Sequence, residues 1–531
     1  MRRYPRAPLR LRNLPIWLRL RSSVSTGRFL LVAALVPLAF TAISASASPL
    51  AASARALRVS YLNPGQRLSG LVTLRASAST RGARVVAVTF LFDGQPLGSD
   101  TTRPYRLEID AGALRPGSHR LRVAAADSLG RRVKSRAIPV TVVAHHARSL
   151  VASPRRGLKK ALARLSRGGV SVRLLPGHYE LSEVSLGSNT RLSGSGRSTV
   201  ISAPSGSYEA ILLVKGRHVQ VSDLVLDGSG PGPGDGQAVE VRTDVANVRI
   251  SHLEIKHVRQ TGVYVWGSYH DVSVQDSVIA GDKRAEAGVV FQKGDSGDSS
   301  VIRTRVSGFR SYGIDFSYLL HDPSAAPHAV ALDNVVTDIA DPAAADGRSE
   351  CGIWSGGVEA ALVGNVIKRT GWDGIETVGS SRRLTIVANT VTSTQTGIYL
   401  EHSTNNSLIR DNRISNVDRG INVEWRYDGI GSSSNSFIGN TISAAEQGIS
   451  VDVGDNDNRI KRNVFLNVSF PVTLRGSSKN IVRGNRACRV HGALVTESKG
   501  LRDDGTLAAS MGNSLSDNLV RPCSKLETQR R

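Results

Sequence analysis

Carboxylates and aromatic rings recur at matching positions of a short repeated segment, and these are the side chains that handle sugar polymers. The segment is a Gly followed by Ile or Val and an alternating pair, as in Gly262-Val263-Tyr264-Val265, Gly288-Val289-Val290-Phe291, Gly313-Ile314-Asp315-Phe316, Gly374-Ile375-Glu376, Gly397-Ile398-Tyr399-Leu400 and Gly420-Ile421-Asn422-Val423. The residue two after each Gly gives the column Tyr264, Val290, Asp315, Trp354, Glu376, Tyr399, Asn422 and Ser450. The residue four after gives Trp266, Gln292, Ser317, Gly356, Val378, Glu401, Glu424 and Asp452. Strands point alternate side chains to opposite faces, so both columns leave the core while the Ile positions enter it. Sugar rings stack their apolar faces on aromatics, and carboxylates accept hydroxyl hydrogens or exchange protons.

These columns make Glu376, Glu401 and Glu424 candidate catalytic residues and Asp315, Trp354 and Tyr399 candidate substrate-binding residues, with Trp372, His402, Trp425 and Arg426 beside them in sequence as further candidates for binding. Glu401 and Glu424 hold equivalent positions on successive repeats, with Asp452 on the next. Neighbouring carboxylates repel and raise one pKa, as an acid catalyst requires, or they could together hold Ca²⁺. A separation of ~5 Å would suit a retaining glycosidase. The plain alternative is a row of solvated acids.

These residues need a scaffold that stacks one repeat on the next. With Gly352 and Gly448 completing the set, the repeat glycines are separated by 26, 25, 39, 22, 23, 23 and 28 residues, a period near 23 with insertions, which predicts a solenoid of one coil per repeat. Asn365, Asn389, Asn412, Asn440, Asn463 and Asn485 keep the same period between short apolar strands, and their stacked amides predict a structural ladder. Leu158, Ala161, Leu162 and Leu165 lie at helical spacing and predict an amphipathic cap on the first open strand edge. The segment from Val170 to Leu181 resembles the opening strand and turn of pectin-lyase-like β-helices, a likeness that with the repeats spans about 158–520. The expected fold class is all-β, a right-handed parallel β-helix over 155–523 preceded by a small Ig-like β-sandwich. The insertion from Ser317 to Cys351, with His321, Asp322, Asp341, Asp346 and Glu350, would form either the wall of a cleft or a solvated loop.

Residues 57–143 alternate as Val85–Phe92, Tyr105–Ile109, Arg120–Ala126 and Ala137–Val143, which predicts a separate β-sandwich. Phe92-Asp93-Gly94-Gln95-Pro96-Leu97-Gly98, Pro116-Gly117-Ser118-His119 and Asp127-Ser128-Leu129-Gly130 resemble bacterial Ig-like domains, and the resemblance implies a spacer or adhesive module. Thr370-Gly371-Trp372-Asp373-Gly374-Ile375-Glu376 resembles the Asn-Thr-Asp-Gly-Ile-Asp signature of polygalacturonase-type hydrolases, which implies a catalytic Asp373. Gln395-Thr396 stand where that family has an Asp-Asp pair, and its Gly-His-Gly motif is missing. Lyases and epimerases of this fold take a proton with Lys, Arg, His or Tyr, a role open to Tyr399, His402 or Arg426, but the Asp-Pro-His motif of uronate epimerases is not found.

An Arg-rich start, the apolar run Phe29 to Ile43 and the small residues Ser44 to Ser48 predict a signal peptide over 1–48, with an uncleaved anchor as the alternative. The chain would then be secreted or held at the cell surface. The net charge of +24 does not point to nucleic acid, because residues 251–480 carry 26 acids against 22 Lys and Arg. Cys488 and Cys523 flank the C-terminal end and form the natural disulfide pair, leaving Cys351 as a core thiol without metal-ligand spacing. The partner expected is a polysaccharide or cell-wall polymer met by a monomer without a cofactor. The rival expectation is a non-catalytic structural or adhesive β-helix at the cell surface.

Overall fold

The computed structural model describes residues 57–524 apart from 62–66, 144–149, 207, 229–235, 293–297, 318–327, 341–349, 358, 380, 402, 425–430 and 503–504. The expected signal segment, His402, Trp425, Arg426 and residues 318–327 and 341–349 of the insertion after Ser317 lie outside the described residues, whereas His328–Leu332 and Val335–Ile339 are strands of the coil and Glu350 is also described.

The chain is nearly all β and forms a right-handed parallel β-helix of about 12 turns, preceded by an Ig-like unit. In the Ig-like unit, Leu57–Tyr61, Leu71–Thr80 and Arg106–Asp110 form one antiparallel sheet. A second sheet is built on Gly117–Asp127 between Val85–Phe92 and Ile138–Val142. Leu74, Phe90, Leu107, Leu121 and Val140 fill the space between the two.

Each solenoid coil supplies strands to three parallel sheets. Asp373–Val378 pairs with the second half of Thr390–Glu401 in the first sheet, Thr385–Val387 pairs with Leu408–Arg410 in the second, and Val366–Thr370 pairs with the first half of Thr390–Glu401 in the third. Ile353, Ile375, Ile398, Ile421 and Ile449 stack in register and are fully buried. The repeated Gly is a packing requirement: a Cβ on Gly374 would stand 2.3 Å from Val391 Cγ1 and 2.6 Å from the carbonyl oxygen of Gly397 on the next coil.

The Asn ladder marks a bend. Gly364, Ala388, Asp411, Gly439, Arg462 and Gly484 all have positive φ and each precedes a ladder Asn. The turned Asn is fully buried, and its backbone N–H and Nδ2 both donate to the Oδ1 of the next, as from Asn389 to Asn412 at 2.9 and 3.0 Å. A second ladder, Asn435, Asn458, Asn480 and Asn513, runs beside it and was not anticipated. Helix Leu158–Arg167 covers the first coils with buried Ala161 and Leu165.

The Ig-like unit is docked along the second sheet of the solenoid. Val86, Ala87 and Ala126 pack on Ile302, Val330, Leu332, Ala361 and Val363. Around this apolar contact, the Ser99 backbone exchanges two hydrogen bonds with the Gln275 amide (2.7 and 2.9 Å), and its carbonyl also accepts from Arg249 at 2.8 Å. Arg303 grips Asp276 with two bonds of 2.7 Å and reaches the Ser99 hydroxyl at 3.0 Å. Apolar burial together with satisfied buried polar groups makes this a fixed joint.

Candidate functional site

The first sheet sets the candidate residues in one row across successive coils. Asp315 pairs with Trp354, Trp354 with Glu376, Glu376 with Tyr399, and Tyr399 with Asn422. Glu401 and Glu424 are register partners two residues further along the same strands, on the same face. Glu376, Glu401 and Glu424 thus share one sheet face.

Accessibility separates them. Asp315, Glu376 and Tyr399 are only 5–6% exposed, Glu401 and Glu424 are half-buried, and Trp372 is 40% exposed. Asp373, the catalytic candidate carried by the resemblance, has no exposure at all and faces the core. The reason is parity: Asp373 stands two residues before the core residue Ile375 and pairs with the equally buried Cys351 and Thr396.

Trp354 lies along its own strand with its ring over Gly356, where an added Cβ would stand 2.2 Å from the indole. Tyr312 meets Trp354 edge-on at 6.4 Å. Gly371 makes room for Glu350, whose carboxylate would collide with any Cβ there and whose carbonyl accepts from the Trp372 and Asp373 amides.

Burial dominates the electrostatics. It pushes the Asp315 carboxyl up from 3.8 to about 7, against a hydrogen bond from the Ser317 hydroxyl that lowers it. The same burial, reinforced by the charges of Asp315, Cys351 and Glu376, drives the Tyr312 hydroxyl well above its ordinary range. The Cys351 thiol is also raised by burial, then by Glu376 and Asp373, and its Sγ donates to the Ile353 carbonyl at 3.2 Å. At the far end, Asp452 is raised by desolvation although Arg475 stands 3.0 Å away, and Asn422 donates to Glu424 at 3.0 Å.

Sequence reasoning missed Tyr312 and Cys351 as members of this acid neighbourhood, and placed Glu350 only in the insertion. The signal was the position just before each repeat Gly, where Tyr312, Cys351 and Asp373 stand in register. It also missed a cavity of about 630 Å³ beside the docked Ig-like unit, lined by Arg84, Arg103, Tyr105, His270 and Asp298 among others. That cavity is formed by contacts between the two units, which no local pattern encodes.

Two family models match. Residues 57–123 match the bacterial Ig domain, and residues 328–482 match the family described as periplasmic copper-binding protein (NosD). No curated protein matches the chain. Among solved structures, the family 28 exopolygalacturonase of Yersinia enterocolitica is similar at 10% identity and a TM-score of 0.47, covering 88% of this chain and 99% of that one. The A-module of a mannuronan C-5 epimerase from Azotobacter vinelandii is similar at 14% identity and a TM-score of 0.37, covering 70% and 97%. The fibronectin(III)-like modules of Clostridium thermocellum CbhA match at 25% identity and a TM-score of 0.15, covering 16% and 96%.

Proposed function

We propose that this is an exported protein whose solenoid holds an acidic polysaccharide along the strip from Trp266 to Asp452 and hydrolyses it. The observation that carries the reading is the register Asp315, Trp354, Glu376, Tyr399, which sets acids and rings alternately along one sheet. A carboxyl at about 7 still holds its proton in a useful fraction at neutral pH. In the reaction Asp315 gives that proton to the leaving glycosidic oxygen, the C1–O bond breaks, and water adds its hydroxyl to C1 while losing a proton to a second carboxylate. Glu376 is the second acid, two coils from Asp315 and so about 10 Å away along the stack, which leaves room for the water. Glu401, Glu424, Tyr399 and Trp372 bind the sugar, while exposed Arg419 and half-buried Arg475 offer cations to the polymer's carboxylates. Elimination by a lyase would leave an unsaturated uronate instead.

One matching family is described as copper-binding. Among the described residues no three His, Cys, Asp or Glu side chains are grouped to hold a metal ion, and the buried Cys351 keeps its proton at neutral pH. The hydrolysis described needs no cofactor, and chelator treatment is expected to leave it unchanged.

The complete burial of Asp373 favours a second reading, a non-catalytic structural or adhesive protein in which these acids only order the coil. The test is to incubate the purified chain with polygalacturonate, alginate and a neutral galactomannan. New reducing ends that vanish in Asp315→Asn and Glu376→Gln support hydrolysis, and absorbance from unsaturated uronate identifies elimination. Binding without cleavage leaves the second reading, and neither binding nor cleavage rejects the polysaccharide strip.

A further inference from the structure

Upstream of the acids, the first sheet carries a second constellation. Glu240 pairs with Tyr264, and Trp266 pairs with Gln292 on the following strand. The Trp266 indole is 37% exposed, on a solenoid whose other large rings are mostly covered. It is nonetheless anchored: its Nε1 donates to Glu240 Oε1 at 2.9 Å, reaching back one coil. Glu240 is 4% exposed, and the same oxygen accepts from Arg242 Nε at 3.2 Å. Arg242 in turn is paired with Glu209. On the other side the Tyr264 hydroxyl donates to Gln292 at 2.6 Å.

An exposed indole normally rotates freely, and fixing it costs side-chain entropy. Here a buried carboxylate, itself held by a guanidinium, fixes the ring plane at the surface. Such a chain of contacts pre-orients a flat apolar face whose neighbouring charges are already matched, which is what stacking of an uncharged sugar face requires.

We propose that Trp266 is the platform of a distal sugar subsite, with Glu240 as the residue that positions it. The inference rests on the polysaccharide reading above and deepens it by specifying a long polymer. From the Trp266 strand to the Asp315 strand is two coils, about 10 Å, and to the Glu376 strand four coils, about 19 Å. A ligand touching both Trp266 and Glu376 must therefore be an extended chain lying along the solenoid axis, and a trisaccharide that covers Glu376 falls short of the ring.

The experiment measures binding of polygalacturonate, alginate and galactomannan, and of the trisaccharide of each, to the full chain by calorimetry and by Trp fluorescence. Trp266→Ala is expected to weaken polymer binding about tenfold and leave trisaccharide binding unchanged. Trp266→Phe, which keeps a ring but loses the Nε1 bond, should fall between. Glu240→Gln keeps an acceptor for the indole and should bind as the parent does, whereas Glu240→Leu should weaken polymer binding and reduce the fluorescence change on binding. If Trp266→Ala binds polymer normally while Tyr399→Ala does not, the distal subsite is wrong and the strip reading stands. Equal losses for polymer and trisaccharide also overturn it. If no probe binds the parent protein, both readings fall together.

Discussion

Replacing Asp315 by Asn should make the protein less sensitive to alkaline pH, although it removes a residue from the centre of the candidate site. Asp315 is 6% exposed, and its carboxyl titrates at about 7 in the fold against an ordinary 3.8. A folded-state pKa above the unfolded one means that the native chain binds the proton more tightly. The stabilisation is complete below pH 3.8 and is lost as pH rises to about 7. Three units at 1.36 kcal/mol each give about 4 kcal/mol as the full span, of which about 2–3 kcal/mol is lost between pH 5 and 8. Asn has nearly the same shape and no charge to bury. Urea unfolding at pH 5 and pH 8 should therefore show a drop for the parent chain that is smaller by about 2–3 kcal/mol in Asp315→Asn, and the variant should be the more stable of the two at pH 8. Ser317→Ala removes the hydrogen bond that favours the carboxylate and should steepen the loss. An identical pH difference in the parent and Asp315→Asn would refute the assignment and, with it, the proton donor of the proposed hydrolysis.

Asn412→Ala removes an acceptor of two bonds from Asn389 and a donor to Ile386 and Asn440, all fully buried; unfolding should show a loss of about 3–5 kcal/mol, since buried donors are left without partners. Gln275→Ala strands the buried amide of Ser99 at the docked Ig-like unit, so hydrogen exchange at Ser99 should speed up markedly while amides of the Asn ladder are unchanged. Cys488 and Cys523 are disulfide-bonded and Cys351 is buried; thiol titration of the folded protein should find no reactive group, and denaturation without reductant should expose one.

The periodic part of the molecule was written in the sequence. A stacked coil must repeat its Gly, its inward Ile and its buried Asn at every turn, because each contacts the same position on the next coil. Spacing alone therefore located the first sheet, the ladder and the row from Asp315 to Asn422. Opposite charges and apolar side chains that meet only once leave no such trace. The docking of Val86 on Val330 and of Ser99 on Gln275 joins residues more than 170 positions apart, and nothing local distinguishes those side chains from other surface residues. Burial was decided in the same way. Outward parity marked Asp315 and Glu376 as facing the solvent side of the sheet, but only the assembled strip, with Tyr312 and Trp354 packed beside them, decided that these acids sit in a dry environment. Asp373 stands two residues before the inward Ile375, so the same alternation turns it to the core. The sequence by itself therefore determined which residues share a face, and the tertiary structure decided which of them meet water, because periodicity encodes contacts that repeat and desolvation depends on contacts that occur once.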